Sequence, residues 1–435
     1  MPDATTPRDP RASSTGLASR DTGGASAPSA GLPSFWVLAA VLVAVAANLR
    51  VAITSVPPLL DEVSAALGLS HAAAGALTTL PVLSMGVFAP VASRLAHRIG
   101  PVAAVLLAAV AVLLGTLSRF GAGNVVLLYV GTFVAGVGIA VGGTLLPRLV
   151  KTFFPPERVG LVTGLYMLAM MGGAAVSSAA SVPLADALGS WQASLGSWSV
   201  LAVVGVAAWA PLTRRLARFA GDGSTTDTVS PEPGRTTSVG VQRNPMPWRH
   251  RTAWALALYL AAQSWCFYSS VTWLAPTYVE RGWSPTDAGY LGAVFASAQI
   301  VSGLLGPVVS DRVRDLRLLL VPFAVIGVVG TVGVWLAPEA APWVWAAVVG
   351  LGQGAAFSLG LVMLVRYAVT PEASGRLTGM AFLISYGLAS VGPILMGSVR
   401  DVTGSLSHVW AVLTLVGVAQ GLVSLRLHPR RDRVA

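Results

Sequence analysis

Arg50 lies inside a long apolar run of the sequence that extends from about residue 35 to residue 57. If this run is a membrane helix, Arg50 lies about 22 Å from its start, near the middle of a hydrocarbon core about 30 Å thick. A charge at that depth is costly and by default marks a functional site. All 18 acidic residues fall in tails, loops or helix ends. We therefore expect the guanidinium of Arg50 to bind an anionic ligand through paired hydrogen bonds.

Helix carbonyls, glutamines and trapped water offer a second way to satisfy Arg50, in which case it only braces the helix bundle. The helical periodicity favours the ligand, because positions 46, 47, 54 and 57 share the face of Arg50 and hold the small or polar residues that a cavity wall needs. Asn48 lies on another face, where a hydrogen bond between helices is expected.

Neutral polar side chains occupy comparable depths in other apolar runs, and three of them are glutamines of the second half. The predicted substrate-binding residues are Arg50, Thr54, Gln263, Tyr268, Gln299, Gln353 and Tyr386. For each neutral member, a hydrogen bond between helices is an equally good explanation. Neighbouring aromatic residues would either stack on a flat ligand or pack in the core; they are Trp265, Phe267, Tyr268 and Trp273. Core filling is expected of Met167, Met170 and Met171.

The composition requires a membrane protein. Of the 435 residues, 54% are apolar and 11% are charged, whereas about a quarter of the residues in a soluble domain are charged. The single cysteine, Cys266, excludes a disulfide scaffold and a cysteine-based metal centre. The sequence holds no nucleotide-binding motif, metal-ligand cluster or nucleophile–base pair. We therefore expect neither an ATP-driven pump nor an enzyme, and no cofactor or metal.

Twelve apolar runs are each long enough to cross a membrane. They lie at about 35–57, 72–93, 101–119, 124–147, 159–185, 195–213, 252–276, 286–309, 317–337, 342–365, 375–399 and 406–427. The predicted fold is an all-α membrane protein with twelve transmembrane helices in two six-helix halves. The predicted divisions are a disordered cytoplasmic tail at 1–34, an N-terminal six-helix bundle at 35–213, a cytoplasmic linker at 214–251, a C-terminal six-helix bundle at 252–427 and a cytoplasmic tail at 428–435.

Basic residues identify the side of the membrane on which both chain ends lie. Of the 28 lysines and arginines, 24 fall in the tails and in the loops on the same side as the tails. Only Arg119, Arg281 and Arg400 are assigned to loops on the other side. The positive-inside rule therefore places both termini in the cytoplasm and the protein in the cell membrane. It also accounts for the net charge of +10 without a nucleic-acid partner.

The second half of the chain repeats motifs of the first half. Gly68-Leu69-Ser70 matches Gly282-Trp283-Ser284 at a shift of 214 residues, and Pro156-Glu157 matches Pro371-Glu372 at a shift of 215. Further matches in register are His97-Arg98 with Asp311-Arg312, Lys151 with Arg366, and Asp186 with Asp401. Two parallel halves of this kind place a binding site at the membrane midplane between them. Dense glycines in the fourth and tenth runs are predicted to be packing surfaces that permit alternating access.

Two parallel six-helix halves resemble the major facilitator superfamily of secondary transporters. The loop after the second helix in that superfamily usually reads G-x-x-x-D-R-x-G-R. Here the corresponding residues are His97-Arg98-Ile99-Gly100 and, in the second half, Ser310-Asp311-Arg312. The resemblance implies that His97, Arg98, Asp311 and Arg312 take part in conformational gating, although a histidine stands where the first loop should have its acid.

A longer string in the first two helices resembles the cyanate and 2-nitroimidazole branch of that superfamily. It comprises Asn48-Leu49-Arg50 through Pro58-Leu59-Leu60 and then Gly75-x-Leu77-Thr78-Thr79-Leu80-Pro81. The chain departs from the branch at Val51, where proline is common, and at Pro57, where glycine is common. The resemblance implies a related transport activity, and the substrate need not be shared.

Together these observations predict a secondary active transporter of a small anion or polar heterocycle, cyanate-like or nitroimidazole-like. The alternative is an efflux permease for neutral or toxic small molecules in which Arg50 is structural. The expected partners are a small-molecule substrate and the lipid bilayer, with no nucleic acid, and we expect a monomer. A receptor is disfavoured, because neither the central linker nor the C-terminal tail is long enough to form a signalling domain.

Overall fold

The computed structural model describes residues 34–222, 246–429 and 431–434. The predicted tail at 1–34, apart from Ser34, and most of the predicted linker lie outside the described residues. Within the described residues, all regular secondary structure is helical, and the only strand-like feature is an isolated bridge between Ala368 and Val434. The predicted all-α class is therefore confirmed.

The described residues of the first half, 34–222, form eight helices. They are α1 (Phe35–Thr54), α2 (Leu60–Leu67), α3 (His71–Ile99), α4 (Pro101–Leu117), α5 (Val125–Phe153), α6 (Pro156–Leu188), α7 (Trp191–Ser197) and α8 (Ser199–Asp222). A 3-10 turn at Pro57–Leu59 joins α1 to α2, and another at Ser118–Gly121 follows α4.

Seven helices lie in the part of the second half that the structure describes, residues 246–429 and 431–434. They are α9 (Arg251–Val279), α10 (Pro285–Ser310), α11 (Arg317–Leu336), α12 (Pro342–Arg366), α13 (Pro371–Ala389), α14 (Gly392–Thr403) and α15 (Ser407–Leu425). The described end of the chain returns to this half, where the Val434 amide donates to the Tyr367 carbonyl at 2.7 Å.

The sequence repeat corresponds to repeated helix ends. Gly68 and Gly282 both have a positive φ, at 63° and 87°, and each precedes the start of a helix by the same interval. Ser70 and Ser284 then cap α3 and α10 through their side chains. At the other end of the repeat, Gly189 and Gly404 end α6 and α14 in the left-handed conformation that glycine adopts without strain.

Eleven helical segments of the described chain are long and apolar enough to cross a membrane. The remaining long helix, α9, has 29 residues, which is also sufficient length. Its composition is more polar than that of the other spans, which is tolerated because 21 of its residues are buried. An interior helix does not have to present an apolar surface to lipid, so α9 completes the twelve predicted spans.

Several predicted helices differ from the structure at their ends or are interrupted. The first run, predicted at 35–57, is helical only to Thr54 before the 3-10 turn. The run predicted at 375–399 is two helices, α13 and α14, separated at residues 390–391 just before Gly392-Pro393. The run predicted at 195–213 begins earlier, as α7, and α8 continues to Asp222. Pro57-Pro58 and Gly392-Pro393 account for the first two differences, because proline lacks the amide hydrogen of a regular helical hydrogen bond.

The helix ends define two faces of the bundle. The basic face carries residues 154–155, 246–250, 311–316, 367–370, 426–429 and 431–434. The opposite face carries 61–70, 118–124, 189–190, 280–284, 337–341 and 404–406. Near the opposite face, one continuous core joins residues of both halves, such as Leu60 with Leu291. Toward the basic face, each half has a core of its own. The halves are therefore packed together at the opposite face and separated toward the basic face.

Candidate functional site

A cavity of about 420 Å³ lies between the two halves. It extends from Arg50 to Val365, which directly precedes the last residue of α12 at the basic face. Its polar lining comes from Arg50, Gln263, Ser264, Tyr268, Gln299, Ser358 and Tyr386. Arg50 is on α1 of the first half and the other six are on helices of the second half, so the site is built across the interface between the halves.

Arg50 occupies the inner end of this cavity without a carboxylate partner. Its guanidinium carbon lies 5.0 Å from the ring centre of Phe267 and 5.9 Å from that of Tyr268, close enough for cation–π attraction. Its Nη1 atom is buried, and no described residue offers it a hydrogen-bond acceptor. The four ion pairs among the described residues all involve other side chains. The guanidinium is thus available to an acceptor that enters the cavity.

Hydrogen bonds on the other sides of α1 hold Arg50 toward the cavity. Asn48 donates from Nδ2 to the Leu201 carbonyl of α8 at 3.0 Å, which confirms the predicted bond between helices. Thr54 shares a hydrogen bond with Ser177 of α6 at 2.7 Å. These two contacts fix the rotation of α1 about its axis, and Arg50 is left facing the second half.

The three predicted glutamines have different environments. Gln263 and Gln299 both line the cavity. Gln353 does not line the cavity. The side-chain amide of Gln263 donates from Nε2 to the backbone carbonyl of Gln353 at 3.3 Å and to its Oε1 at 3.5 Å. Gln353 therefore orients the side chain of Gln263 without lining the cavity. Gln299 lines this cavity and also, like Arg50, a smaller one.

The two predicted tyrosines lie beside Arg50 at the junction of the halves. The Tyr268 hydroxyl donates to Sδ of Met85 on α3 at 3.6 Å, a weak bond between the halves. The Tyr386 side chain lies against Gly86 of the same helix. Ser264 also lines the cavity and shares a hydrogen bond with Ser385 at 2.8 Å. It was not among the predicted substrate-binding residues.

A second, much smaller cavity of about 20 Å³ lies on the other side of Arg50. The predicted site residue Thr54 lines it, together with Ser178, Leu274 and Gln299. Arg50, Met171, Phe267 and Gln299 belong to both cavities and therefore form the layer between them.

Contacts between the halves close the path from this small cavity to the opposite face. Thr78 shares a hydrogen bond with Thr272 at 2.7 Å, and the Ser178 hydroxyl donates to the Gly289 carbonyl at 3.1 Å. Asp401 accepts from the backbone amides of His71 and Ala72 at 3.1 and 3.0 Å. The His71 ring lies 2.7 Å from the same carboxylate.

The four predicted gating residues lie at the basic face. His97 and Arg98 are exposed near the end of α3, and Asp311 and Arg312 are exposed just after α10. The neighbouring turn is held by Arg366, which donates to the carbonyls of Ser310 and Val313 at 2.5 and 3.0 Å. In that turn, hydrogen bonding from Arg317 holds the pKa of the Asp315 carboxyl below its usual value. Within the described chain, the Asp401 carboxylate contacts the His71 ring across the halves at the opposite face, not at the basic face.

Two further features of the structure differ from the sequence-based predictions. Arg119 was assigned to a loop, but its side chain is fully buried and donates to the Ala52 carbonyl at 2.6 Å and to the Ser55 hydroxyl at 3.2 Å. Its position at the end of an apolar run was the available signal. The methionines also differ from the prediction, because Met167 and Met171 line the cavity whereas Met170 packs in the first-half core.

Comparison with known proteins gives consistent matches over most of the chain. Residues 36–393 match the model of the Major Facilitator Superfamily. The 2-nitroimidazole transporter of Escherichia coli (strain K12) is 33% identical over 383 residues, covering 88% of this chain and 92% of that protein. The cyanate transport protein of the same organism is 32% identical over 392 residues, covering 90% and 97%. An uncharacterized transporter of Bacillus subtilis (strain 168) is 32% identical over 394 residues, covering 90% and 92%.

The fold is also found in solved structures. The crystal structure of a D-xylose-proton symporter superposes with a TM-score of 0.66 over 92% of this chain and 100% of that chain, at 14% sequence identity. At that identity the likeness concerns the fold alone.

Proposed function

Because the chain belongs to the major facilitator superfamily of membrane transporters, we propose that it is a secondary active transporter that moves a small anion or polar heterocycle by alternating access. The observation that carries this proposal is the buried, unpaired Nη1 of Arg50 at the inner end of a cavity between the halves. An anion would supply the acceptors that the protein does not.

The packing of the two halves supports alternating access. One core joins the halves at the opposite face, and separate cores flank the cavity toward the basic face. The positive-inside rule puts the basic face in the cytoplasm, so this arrangement corresponds to a site open to the cytoplasm. Rocking of the N-terminal bundle against the C-terminal bundle would separate the contacts at the opposite face and expose Arg50 to the outside.

The relatives support a small polar substrate. Two of them are named for 2-nitroimidazole and for cyanate, and both compounds offer acceptors to a guanidinium. In this proposal Arg50 binds the acceptor and Gln263, Tyr268, Gln299 and Tyr386 line the same cavity. Thr54 positions α1 and Gln353 positions Gln263, so both contribute indirectly.

The test is a thermal-shift screen of the purified wild type and of Arg50→Gln, with cyanate, nitrate, benzoate, 2-nitroimidazole and a lipophilic cation as ligands. A ligand at 100 times its Kd adds about 2.7 kcal/mol to the stability of the native state. We expect anions to stabilise the wild type and not the variant. Arg281→Gln, at the opposite face, is the matched control and should respond like the wild type.

A second candidate function is efflux of neutral or toxic compounds, with Arg50 as a structural residue. The cation–π contacts of Arg50 with Phe267 and Tyr268 favour it, because they stabilise the charge without a ligand. In that case neutral or cationic compounds should stabilise the wild type and the variant alike. Arg50→Lys retains the charge and distinguishes a folding defect from a loss of binding, because a lysine binds a carboxylate less well than the bidentate guanidinium does.

A further inference from the structure

The wall of the cavity changes character with distance from Arg50. The inner end, around Arg50, has the amides of Gln263 and Gln299 and the hydroxyls of Tyr268 and Tyr386. Toward the basic face the lining is apolar and comes from α6, α10 and α12. These residues are Met167, Leu168, Ile300, Leu304, Pro307, Phe357, Leu361, Val362 and Val365. A ligand that fills the cavity would therefore meet a polar inner end and an apolar outer part.

The structure points to a ring-bearing organic monoanion as the substrate, such as an aromatic carboxylate. We infer that its anionic group binds Arg50 and that its ring lies against the apolar wall of α10 and α12. This inference rests on the proposed function, because it takes Arg50 as the anion-binding group, and it narrows the substrate class.

The charge of the lining sets the charge of the ligand. Arg50 is the only charged side chain among the described residues that line the cavity. One guanidinium compensates one anionic group. A second negative charge, at the other end of the ligand, would lie against leucine, valine and proline, where an unpaired charge is strongly disfavoured. A monoanion therefore fits and a linear dianion does not.

The size and polarity of the lining argue against a three-atom ion as the best ligand. A cavity of about 420 Å³ has the size of sites for organic molecules, and cyanate would contact only its inner end. The one hydroxyl in the apolar part, that of Ser358, already donates to the Ala355 carbonyl at 3.2 Å. That part of the wall cannot replace the hydration of a small ion.

An aromatic ring suits the side chains that the apolar part offers. Phe357 lies on one side and the thioether of Met167 on another, and both kinds of group pack favourably against rings. Burial of one ring against such a wall strengthens binding by roughly 10- to 100-fold relative to an anion that has no ring.

Isothermal titration of the purified full-length protein with four probes tests the inference. Benzoate has the ring and one charge, benzamide has the ring without the charge, cyanate has the charge without the ring, and terephthalate has the ring and two charges. We expect benzoate to bind at least about 10-fold more tightly than each of the other three. Equal or tighter binding of cyanate, benzamide or terephthalate would overturn the inference.

Two variants separate failure of this inference from failure of the proposed function. Leu361→Gln makes the apolar wall polar and should weaken benzoate about 10-fold without changing the Kd of cyanate. Leu422→Gln, on an exposed surface of α15, is the matched control and should change neither. If cyanate and benzoate bind equally and both require Arg50, only the inference about the ring fails. If benzoate binds Arg50→Gln as well as the wild type, or no anion binds, the proposed function fails too.

Discussion

Two arginines beside α1, the half-buried Arg50 and the fully buried Arg119, have different surroundings and therefore different expected roles. Arg119 has protein acceptors in Ala52 and Ser55 near the end of α1. Arg50, only a few residues earlier than those acceptors, has aromatic rings beside it and a free Nη1. Among the described residues, Arg119 has two hydrogen bonds at the end of α1, its Nε has no partner, and it lines neither cavity, which indicates a structural role. Arg50 lines both cavities and its Nη1 has no partner among the same residues, which suits it to bind a ligand.

At Arg119 we predict a loss of stability. Arg119→Gln removes charge-assisted hydrogen bonds to carbonyls at the end of α1, each worth about 1.5–3 kcal/mol, and should lower the Tm of the purified protein by several degrees. Arg281→Gln is the control, since the Arg281 side chain is partly exposed and, within the described chain, donates only to the nearby Thr277 carbonyl at the end of α9. An equal Tm for the two variants would contradict a structural role for Arg119.

Gln299 and Gln353 are expected to contribute unequally to anion binding. Gln299 lines both cavities with Arg50, whereas Gln353 reaches the site only through Gln263. Gln299→Ala should therefore weaken anion binding by about 3- to 10-fold, the value of one hydrogen bond. Gln353→Ala should have the smaller effect. Titration with the tightest-binding anion measures both, and a larger effect at Gln353 would mean that the cavity has been misassigned.

At the scale of helices, the repeat places equivalent glycines where the two halves cross. Gly75 on α3 lies against the Pro393 carbonyl of α14, and Gly289 on α10 lies against the Ser178 carbonyl of α6. A Cβ at either position would overlap the backbone of the other half. By contrast, the predicted packing glycines of α5 and α12 contact helices of their own half, as Gly136 does with Pro81 and Gly350 with Phe295. The close crossings that closure requires are therefore at the opposite face.

Asp401 stabilises this closure from one end of α14. Its carboxylate accepts from two amides at the start of α3, where the helix dipole favours a negative charge. Asp401→Asn should weaken the contact by about 1 kcal/mol, enough to raise the open population roughly fivefold. Spin labels at Glu62→Cys and Val402→Cys, in a Cys266→Ser background, would report this as a larger fraction of long distances.

Asp186→Asn is the control for that measurement. Asp186 is the repeat-related acid and its side chain is exposed at the end of α6. Its substitution should leave the distance distribution unchanged. If the two variants give the same distribution, the Asp401 contact does not hold the halves together.

For the whole molecule, patterns that act over long stretches were predictable from the sequence and local packing was not. Apolar runs and repeated motifs predicted the membrane spans and their arrangement in two halves, because helix length and membrane thickness are linked. Arg50 was identifiable because a cation in an apolar run has few explanations. Gln353 could not be distinguished from Gln263 and Gln299, since all three have the same depth and differ only in helix rotation. The bond from Asp401 to α3 joins residues 330 positions apart, and no local signal indicates it.

The cavity beside Arg50 is expected to open toward one side of the membrane. The cavity reaches the last turn of α12 at the basic face, whereas hydrogen bonds between the halves close the opposite face. The excess of arginine on the basic face leads us to propose that this face is cytoplasmic. Ser358→Cys in a Cys266→Ser background puts a thiol in the cavity wall at little steric cost. A membrane-impermeant thiol reagent should label it at least about tenfold faster in inside-out than in right-side-out vesicles, since the basic-face opening is then the shorter path.

Ser270→Cys, in the small cavity beyond Arg50, is the control and should react slowly from both sides. Faster labelling at position 358 from outside would mean either that the basic face is external or that the resting transporter opens at the other face, and labelling of an exposed Arg312→Cys separates the two.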